Sequence, residues 1–228
     1  MTSSLEIFIR LIMSMVLVAS MVILNFTIFR IPIKGNDKQL SIISLVVGGF
    51  LFYLKFIEST PALMIIMTFV YIVMLIVVRH YPFLYAFIIG VFGSLCVTIA
   101  DTIVTAPAIS LGLSTLEQMK TSMQHYIIFH LMTSTIMLVT AAILYKLNRG
   151  FWFVRRRFTG QFRRSDIIWG AILVVVMIIL QITSSNIELV SRHGLILLLL
   201  FLGLIVLLGY SYVQNEKIKK DRFGKKGE

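Results

Sequence analysis

Long apolar runs constrain this chain more than any other feature. A helix needs about 20 apolar residues to cross a bilayer core about 30 Å thick. Because backbone N–H and C=O groups inside lipid must pair within their own segment, such runs are predicted to be helices. The second run contains Lys55 near its end and is interrupted by Gly48 and Gly49, so a re-entrant or strongly mismatched segment is the alternative to a full crossing there. The seven runs are residues 11–29, 40–57, 61–78, 81–100, 126–145, 167–183 and 194–212.

The composition supports a membrane protein. Apolar residues make up 58% of the 228 residues and charged residues only 14%, whereas soluble proteins average about 45–50% and about 25%. Disordered, collagenous and disulfide-rich chains are excluded, and the single cysteine, Cys96, cannot form an internal disulfide. We predict an all-α, polytopic bundle of seven transmembrane helices, with six as the alternative. The membrane domain is expected to span residues 1–212, followed by a short basic cytoplasmic tail over residues 213–228.

The basic residues predict the orientation of the bundle. With the C-terminus inside, 17 of the 21 Lys and Arg residues fall on the cytoplasmic side. This asymmetry follows the positive-inside rule and predicts an outer N-terminus. The net charge of +11 then separates into +12 inside and −1 outside. It is therefore an orientation signal, and no nucleic-acid partner is expected. The four basic residues left outside are Arg10, Lys55, Lys120 and Arg192.

Five polar residues are predicted to contact a ligand at the outer face. Asp101 lies about twenty residues beyond Arg79, which places it near the outer interface at 1.5 Å per residue. There it either faces a ligand pocket or ends its helix. A histidine within a run, such as His130, can bind a ligand, relay protons or satisfy a neighbour's hydroxyl group, and the last is preferred. The five residues are Asp101, His130, Gln181, Asn186 and Glu188.

Residues for catalysis or metal binding are not evident in the sequence. His125 and His130 are five residues apart, which does not match the i, i+4 spacing of a helical metal site. Cys96 has no base nearby in the sequence, so it is expected to be a small packing residue. We therefore expect no enzymatic activity, no metal and no cofactor.

Two local patterns concern helix packing and capping. Ala86, Gly90 and Ser94 recur at the spacing that lets helices approach closely, either within the bundle, which we prefer, or in a homodimer. In the longest outer loop, residues 101–125, a short amphipathic helix is expected to start at Ser114 or Thr115. A glutamate three residues after Ser114 would complete a capping box there.

The most distinctive segment is the cytoplasmic loop of residues 149–164, in which arginines alternate with aromatic residues. Aromatic side chains anchor in the headgroup region and arginines attract anionic lipid headgroups. Such alternation also suits nucleic acid, but the position of the loop between two runs favours the membrane. A cytoplasmic protein is the other partner expected here. The predicted contact residues are Trp152, Arg155, Arg156, Arg157, Arg163 and Arg164.

The chain resembles a known family of membrane sensors. The residues that follow the first run, Phe-Arg-Ile-Pro-Ile-Lys at positions 29–34, are similar to that family's first inner turn. The seven runs, the short loops and the basic segment that follows the last run add to the resemblance, which covers nearly the whole chain. The family is the sensor module of peptide-pheromone histidine kinases of the accessory gene regulator type, found in Gram-positive bacteria.

This resemblance implies a receptor-like module in the bacterial plasma membrane. It would bind an extracellular ligand, such as a peptide, and signal to a separate cytoplasmic partner. In the family the last span continues into a dimerising helix with a phosphoacceptor histidine and an ATP-binding domain, whereas the tail of this sequence contains no histidine. A stand-alone or truncated sensor is therefore expected. The alternative is a transport component similar to the substrate-binding membrane subunits of vitamin importers, which usually have six spans.

Overall fold

A computed structural model describes residues 4–33, 35–58, 63–115, 118 and 122–147, with side chains 57, 58 and 84 excepted. Within these ranges the chain is all-α and has no β-strand. The sixth and seventh predicted spans, the arginine-rich loop and the tail lie outside the described residues. The five helices are α1 (Ser4–Ile28), α2 (Asp37–Tyr53, continued by a π-helical turn over Leu54–Glu58), α3 (Leu63–Arg79), α4 (Phe83–Ser110) and α5 (Met123–Lys146).

Four of these helices contain segments long and apolar enough to cross a membrane. They are Ser4–Ile28, Asp37–Phe56, Tyr85–Ser110 and Met123–Lys146. The remaining helix, α3, has 17 residues, which span about 25 Å at 1.5 Å per residue. The described part is thus all-α, as predicted, with four helices long and apolar enough to span a membrane, whereas seven spans and an outer N-terminus stay predictions.

The helices extend beyond the apolar runs that predicted them. α1 begins seven residues before its run and so includes Arg10, and α2 continues through Lys55 into the π-helical turn. α4 continues to Ser110, so Asp101 lies inside a helix, and the prediction that it ends one is wrong. Hydropathy marks only the apolar part of a helix, because i→i−4 hydrogen bonding also continues through polar residues.

α1 is the central helix of the described bundle, in contact with α2, α4 and α5. α2 also packs against α3, and both α3 and α5 pack against α4. Large apolar side chains on the outward faces remain exposed, as expected of surfaces that meet lipid; examples are Leu45, Phe69, Val77 and Val139. Fully buried core side chains include Val22, Phe26, Ile43, Val47, Leu75 and Ile89.

The small residues of the fourth run pack inside the bundle, which is the interpretation preferred above to a homodimer. Ala86 and Gly90 are buried, and a Cβ atom added to Gly90 would overlap the Ile72 side chain of α3. The Ser94 and Thr68 hydroxyl groups, from α4 and α3, are hydrogen-bonded at 2.5 Å. Since α3 occupies this face, the motif is not available to a second copy of the chain.

The predicted capping box is present, shifted by one residue. The Thr115 N–H donates to Gln118 Oε1 at 3.0 Å, and the Gln118 N–H donates to Thr115 Oγ1 at 3.2 Å. These reciprocal bonds identify Thr115 as the cap. Ser114, the other predicted cap, is buried, and the glutamate three residues after it lies outside the described residues.

Candidate functional site

Charged and aromatic side chains from four helices meet at one end of the bundle, where α1 and α5 begin and α2 ends. We call this group the polar end cluster. Under the predicted orientation it lies at the extracellular end of the bundle. Its members are Arg10 and Ser14 of α1, Lys55 and Phe56 of the π-helical turn, Asp101 of α4, and Tyr126, His130 and Thr133 of α5.

The π-helical turn brings two side chains into the cluster. An i→i+5 turn widens the helix and changes the direction of the residues after it, and such turns occur frequently at functional sites. Lys55 Nζ lies 5.1 Å from the centre of the Tyr126 ring and 5.8 Å from that of Phe56. The two rings meet edge to face with their centres 5.4 Å apart.

Arg10 also contacts both of these rings. Its guanidinium carbon is 4.7 Å from the centre of the Phe56 ring and 5.4 Å from that of Tyr126. Only 8% of the Arg10 residue is exposed. Cation–π contacts contribute about 2 kcal/mol when desolvated, so the rings stabilise a buried arginine between α1, α2 and α5.

A hydrogen-bonded pair fixes α1 against α5 beneath these rings. Ser14 Oγ and Tyr126 Oη are 3.2 Å apart, and Ser14 Oγ also donates to the Arg10 carbonyl at 3.0 Å. Ser14 is fully buried, and Tyr126 is 2% exposed. The tyrosine ring is therefore held in place by α1, and both cations lie near it.

His130 accepts a hydrogen bond from a lysine. Its Nδ1 lies 3.1 Å from the Tyr126 carbonyl, which can only accept, so Nδ1 carries the proton. The other nitrogen, Nε2, is then an acceptor for the Lys55 ammonium group at 3.3 Å. The preferred expectation of a hydroxyl partner was wrong in kind, because the partner is an ammonium group. His130 is neutral here and positions Lys55.

Asp101 forms the edge of the cluster. It lies 18 residues after Phe83, the first residue of α4, which is about 27 Å along the helix axis. The Thr133 hydroxyl donates to Asp101 Oδ1 at 3.4 Å. Asp101 keeps an exposed surface.

Of the predicted ligand residues, the structure brings Asp101 and His130 to the same end of the bundle, where Asp101 is bonded to Thr133 of α5 and His130 of α5 is bonded to Lys55. The sequence interpretation missed Arg10, Lys55 and Tyr126 as members of a site. A usable signal existed, because Arg10 and Lys55 are two of the four basic residues predicted on the outer side. The remaining predicted site residues, Gln181, Asn186, Glu188, Trp152, Arg155, Arg156, Arg157, Arg163 and Arg164, lie outside the described residues.

A second polar group lies deeper in the bundle. Asn25 is fully buried, and its Nδ2 donates to the Tyr71 hydroxyl and to the Ile89 carbonyl, both at 3.2 Å. These bonds join α1, α3 and α4. A Cβ atom added to Gly93 would overlap the Asn25 amide, so the close approach of α4 depends on that glycine.

Arg79 organises the opposite end of the bundle. Its Nε and Nη2 donate to the Tyr81 hydroxyl at 3.2 and 2.9 Å, and its Nη1 donates to Gln39 of α2. Its guanidinium carbon lies 5.3 Å from the centre of the Phe26 ring. Arg79 thereby joins α1, α2 and α3 at the end that is predicted to be cytoplasmic.

In the described ranges, no group of three or more His, Cys, Asp or Glu residues could hold a metal ion. Comparison with protein-family models, curated proteins and solved structures finds no match for this chain.

Proposed function

We propose that this chain is a multi-pass sensor module of a bacterial plasma membrane that binds an extracellular ligand at the polar end cluster. The observation that supports it is the convergence of Arg10, Lys55, Asp101 and His130 from four helices at one end of the bundle. Ionisable residues in membrane-spanning helices are costly and usually mark functional sites. A ligand pocket accounts for their presence better than packing alone.

The proposed topology has seven spans, an outer N-terminus and an inner C-terminus. It puts the cluster outside and the Arg79 interactions inside. The arginine-rich loop follows α5 directly, so a shift of α5 on ligand binding moves the loop that is proposed to contact anionic lipid headgroups and a cytoplasmic protein. α1 contacts α2, α4 and α5, which provides the mechanical link between them.

Cysteine labelling tests this topology. In a chain whose own Cys96 is replaced by alanine, we expect Leu113→Cys to react with a membrane-impermeant thiol reagent in intact cells. Leu113 is 70% exposed and follows α4. Gln161→Cys, in the arginine-rich loop, is expected to react only after the membrane is permeabilised. Labelling of Gln161→Cys in intact cells would contradict the orientation.

Tryptophan emission tests sensing. The chain has two tryptophans, Trp152 and Trp169, both located after the helices that form the cluster. For the full chain in nanodiscs, we expect a saturable change in emission on titration with the peptide fraction of spent medium from the source organism. His130→Ala should reduce this response strongly, because Lys55 loses an acceptor. His80→Asn is the control, since His80 is exposed and has φ +54°, a conformation that asparagine tolerates.

Two results would contradict the sensor proposal. One is an emission response that is the same in His130→Ala and in wild type. The other is accumulation of a labelled solute in vesicles only when an ATPase partner is added, which would instead support the transport component.

A further inference from the structure

We infer that the bundle binds one water molecule between the side chains of Asn25 and Tyr71. This site belongs to the second polar group, which joins α1, α3 and α4, and it depends neither on the polar end cluster nor on sensing. The hydrogen bonds of the Asn25 amide and of the Tyr71 hydroxyl group support it, together with the burial of both side chains.

The Ile89 carbonyl fixes the orientation of the Asn25 amide. A backbone carbonyl can only accept hydrogen bonds, so the amide atom that lies 3.2 Å from it must be the nitrogen, Nδ2. The second proton of Nδ2 goes to the Tyr71 hydroxyl oxygen, also at 3.2 Å. Both amide protons are thus used, and the acceptor of the same side chain, Oδ1, is bonded to neither Ile89 nor Tyr71.

The Asn25 Oδ1 atom lacks a hydrogen-bond donor among the described residues. Asn25 is fully buried, so bulk water does not reach this atom. The hydroxyl groups of Ser20 and Thr27 in the same helix do not supply the bond, because each donates to a carbonyl of α1 itself. A buried acceptor left without a donor is costly, and lipid around the bundle has no donor to offer in the hydrocarbon region.

The Tyr71 hydroxyl group has the complementary need. Its oxygen accepts from Asn25, and in the described part of the chain this is its hydrogen bond, so its own proton is available for a second one. Tyr71 is 1% exposed. One unused donor and one unused acceptor therefore belong to two buried side chains that are already bonded to each other.

Water is the ligand that satisfies both atoms. It can donate to Asn25 Oδ1 and accept from the Tyr71 hydroxyl group, whereas a metal ion or an ammonium group cannot accept the tyrosine proton. Buried water molecules commonly bridge polar groups that otherwise lack partners. The water would add a second link between α1 and α3 beside the direct bond from Nδ2.

The α4 backbone closes one side of this site. A Cβ atom on Gly93 would overlap Asn25 Nδ2 and lie 3.2 Å from Tyr71 Cε1, so α4 packs directly against both side chains. Tyr71 lies eight residues before Arg79 in α3, which is about 12 Å along the helix. The water is therefore held well inside the bundle, nearer to the Arg79 end than to the polar end cluster.

X-ray radiolysis of the full chain in nanodiscs tests for this water. The hydroxyl radicals arise from water itself, so a side chain beside a bound water is oxidised although bulk solvent does not reach it. After correction for the intrinsic reactivity of each residue type, mass spectrometry should show Tyr71 oxidised several-fold faster than Phe29. Phe29 is also 1% exposed, but its ring packs edge to face against Phe92.

Asn25→Leu should reduce the oxidation of Tyr71 to the rate of Phe29, because the substitution keeps the bulk of the side chain and removes the acceptor. Thr27→Val is the matched control in the same helix, since the Thr27 hydroxyl donates to the Ile23 carbonyl, and Tyr71 should be oxidised in it as in wild type. If Asn25→Leu does not fold, Tyr71→Phe removes the donor instead, and oxidation at position 71 should fall in the same way.

Two results would overturn the inference. One is oxidation of Tyr71 in wild type no faster than that of Phe29, which would show that the site is dry. The other is an unchanged rate at position 71 in the folded Asn25→Leu or Tyr71→Phe variant, since these two side chains would then not hold the water.

Discussion

Replacing His130 with leucine should lower the free energy of unfolding by about 1.5–3 kcal/mol, the range for a hydrogen bond to a charged group. The substitution keeps a side chain of similar bulk but removes the Nε2 acceptor that lies 3.3 Å from Lys55 Nζ. It also removes the Nδ1 donor to the Tyr126 carbonyl. Thermal unfolding can be followed through the reactivity of Cys96, the single cysteine, which packs against the core from α4.

A second substitution distinguishes this interaction from simple loss of packing. In the double variant Lys55→Met/His130→Leu, the ammonium group and its acceptor are both gone, so most of the lost stability should return. His125→Leu is the control, because His125 bonds only its neighbour Ser122 among the described contacts and should change stability little. If the two single effects simply add in the double variant, the lysine and histidine are not coupled as the structure shows.

Gly48→Val should destabilise the protein strongly, while Gly49→Val, at the next position of the same helix, should not. A Cβ atom on Gly48 would lie 2.7 Å from the Met15 Cα of α1, so the two helix backbones must separate. A Cβ atom on Gly49 meets nothing within 4 Å. Overpacking typically costs about 1–3 kcal/mol, and a backbone neighbour cannot move aside as a side chain can.

The effect of Gly48→Val should also reach the polar end cluster. α1 carries Arg10 and α2 leads into Lys55 and Phe56, so forcing these helices apart moves the guanidinium group away from the Phe56 ring. Cysteine reactivity on heating measures the stability, and the tryptophan emission response to medium peptides reports on the cluster. Equal unfolding temperatures for the two glycine variants would contradict the close α1–α2 contact.

Much of the described fold is readable from the sequence because hydrocarbon allows few structures. The five runs between residues 11 and 145 all correspond to helices, since a bilayer admits only segments whose backbone bonds are internal. Their ends are less readable. α4 continues ten residues past its run to Ser110, because a helix can include polar residues wherever neighbouring helices or an interface accept them.

Only some residues of the candidate site can be predicted from the sequence. Asp101 and His130 stand out as ionisable residues near apolar runs. Arg10 precedes the first apolar run and Lys55 lies near the end of the second run. The sequence therefore indicates only that both are charges on the outer side. Only the packing of α1 between α2 and α5 shows that these cations share the faces of Phe56 and Tyr126.

The sequence by itself determined that this chain forms apolar helices, and it predicted which side each loop occupies, because hydropathy and charge act segment by segment. The tertiary structure decided which polar residues become neighbours. That outcome depends on helix rotation, on the close contact at Gly48 and on the π-helical turn that directs Lys55 inward. These are properties of pairs of helices, and no single segment encodes them.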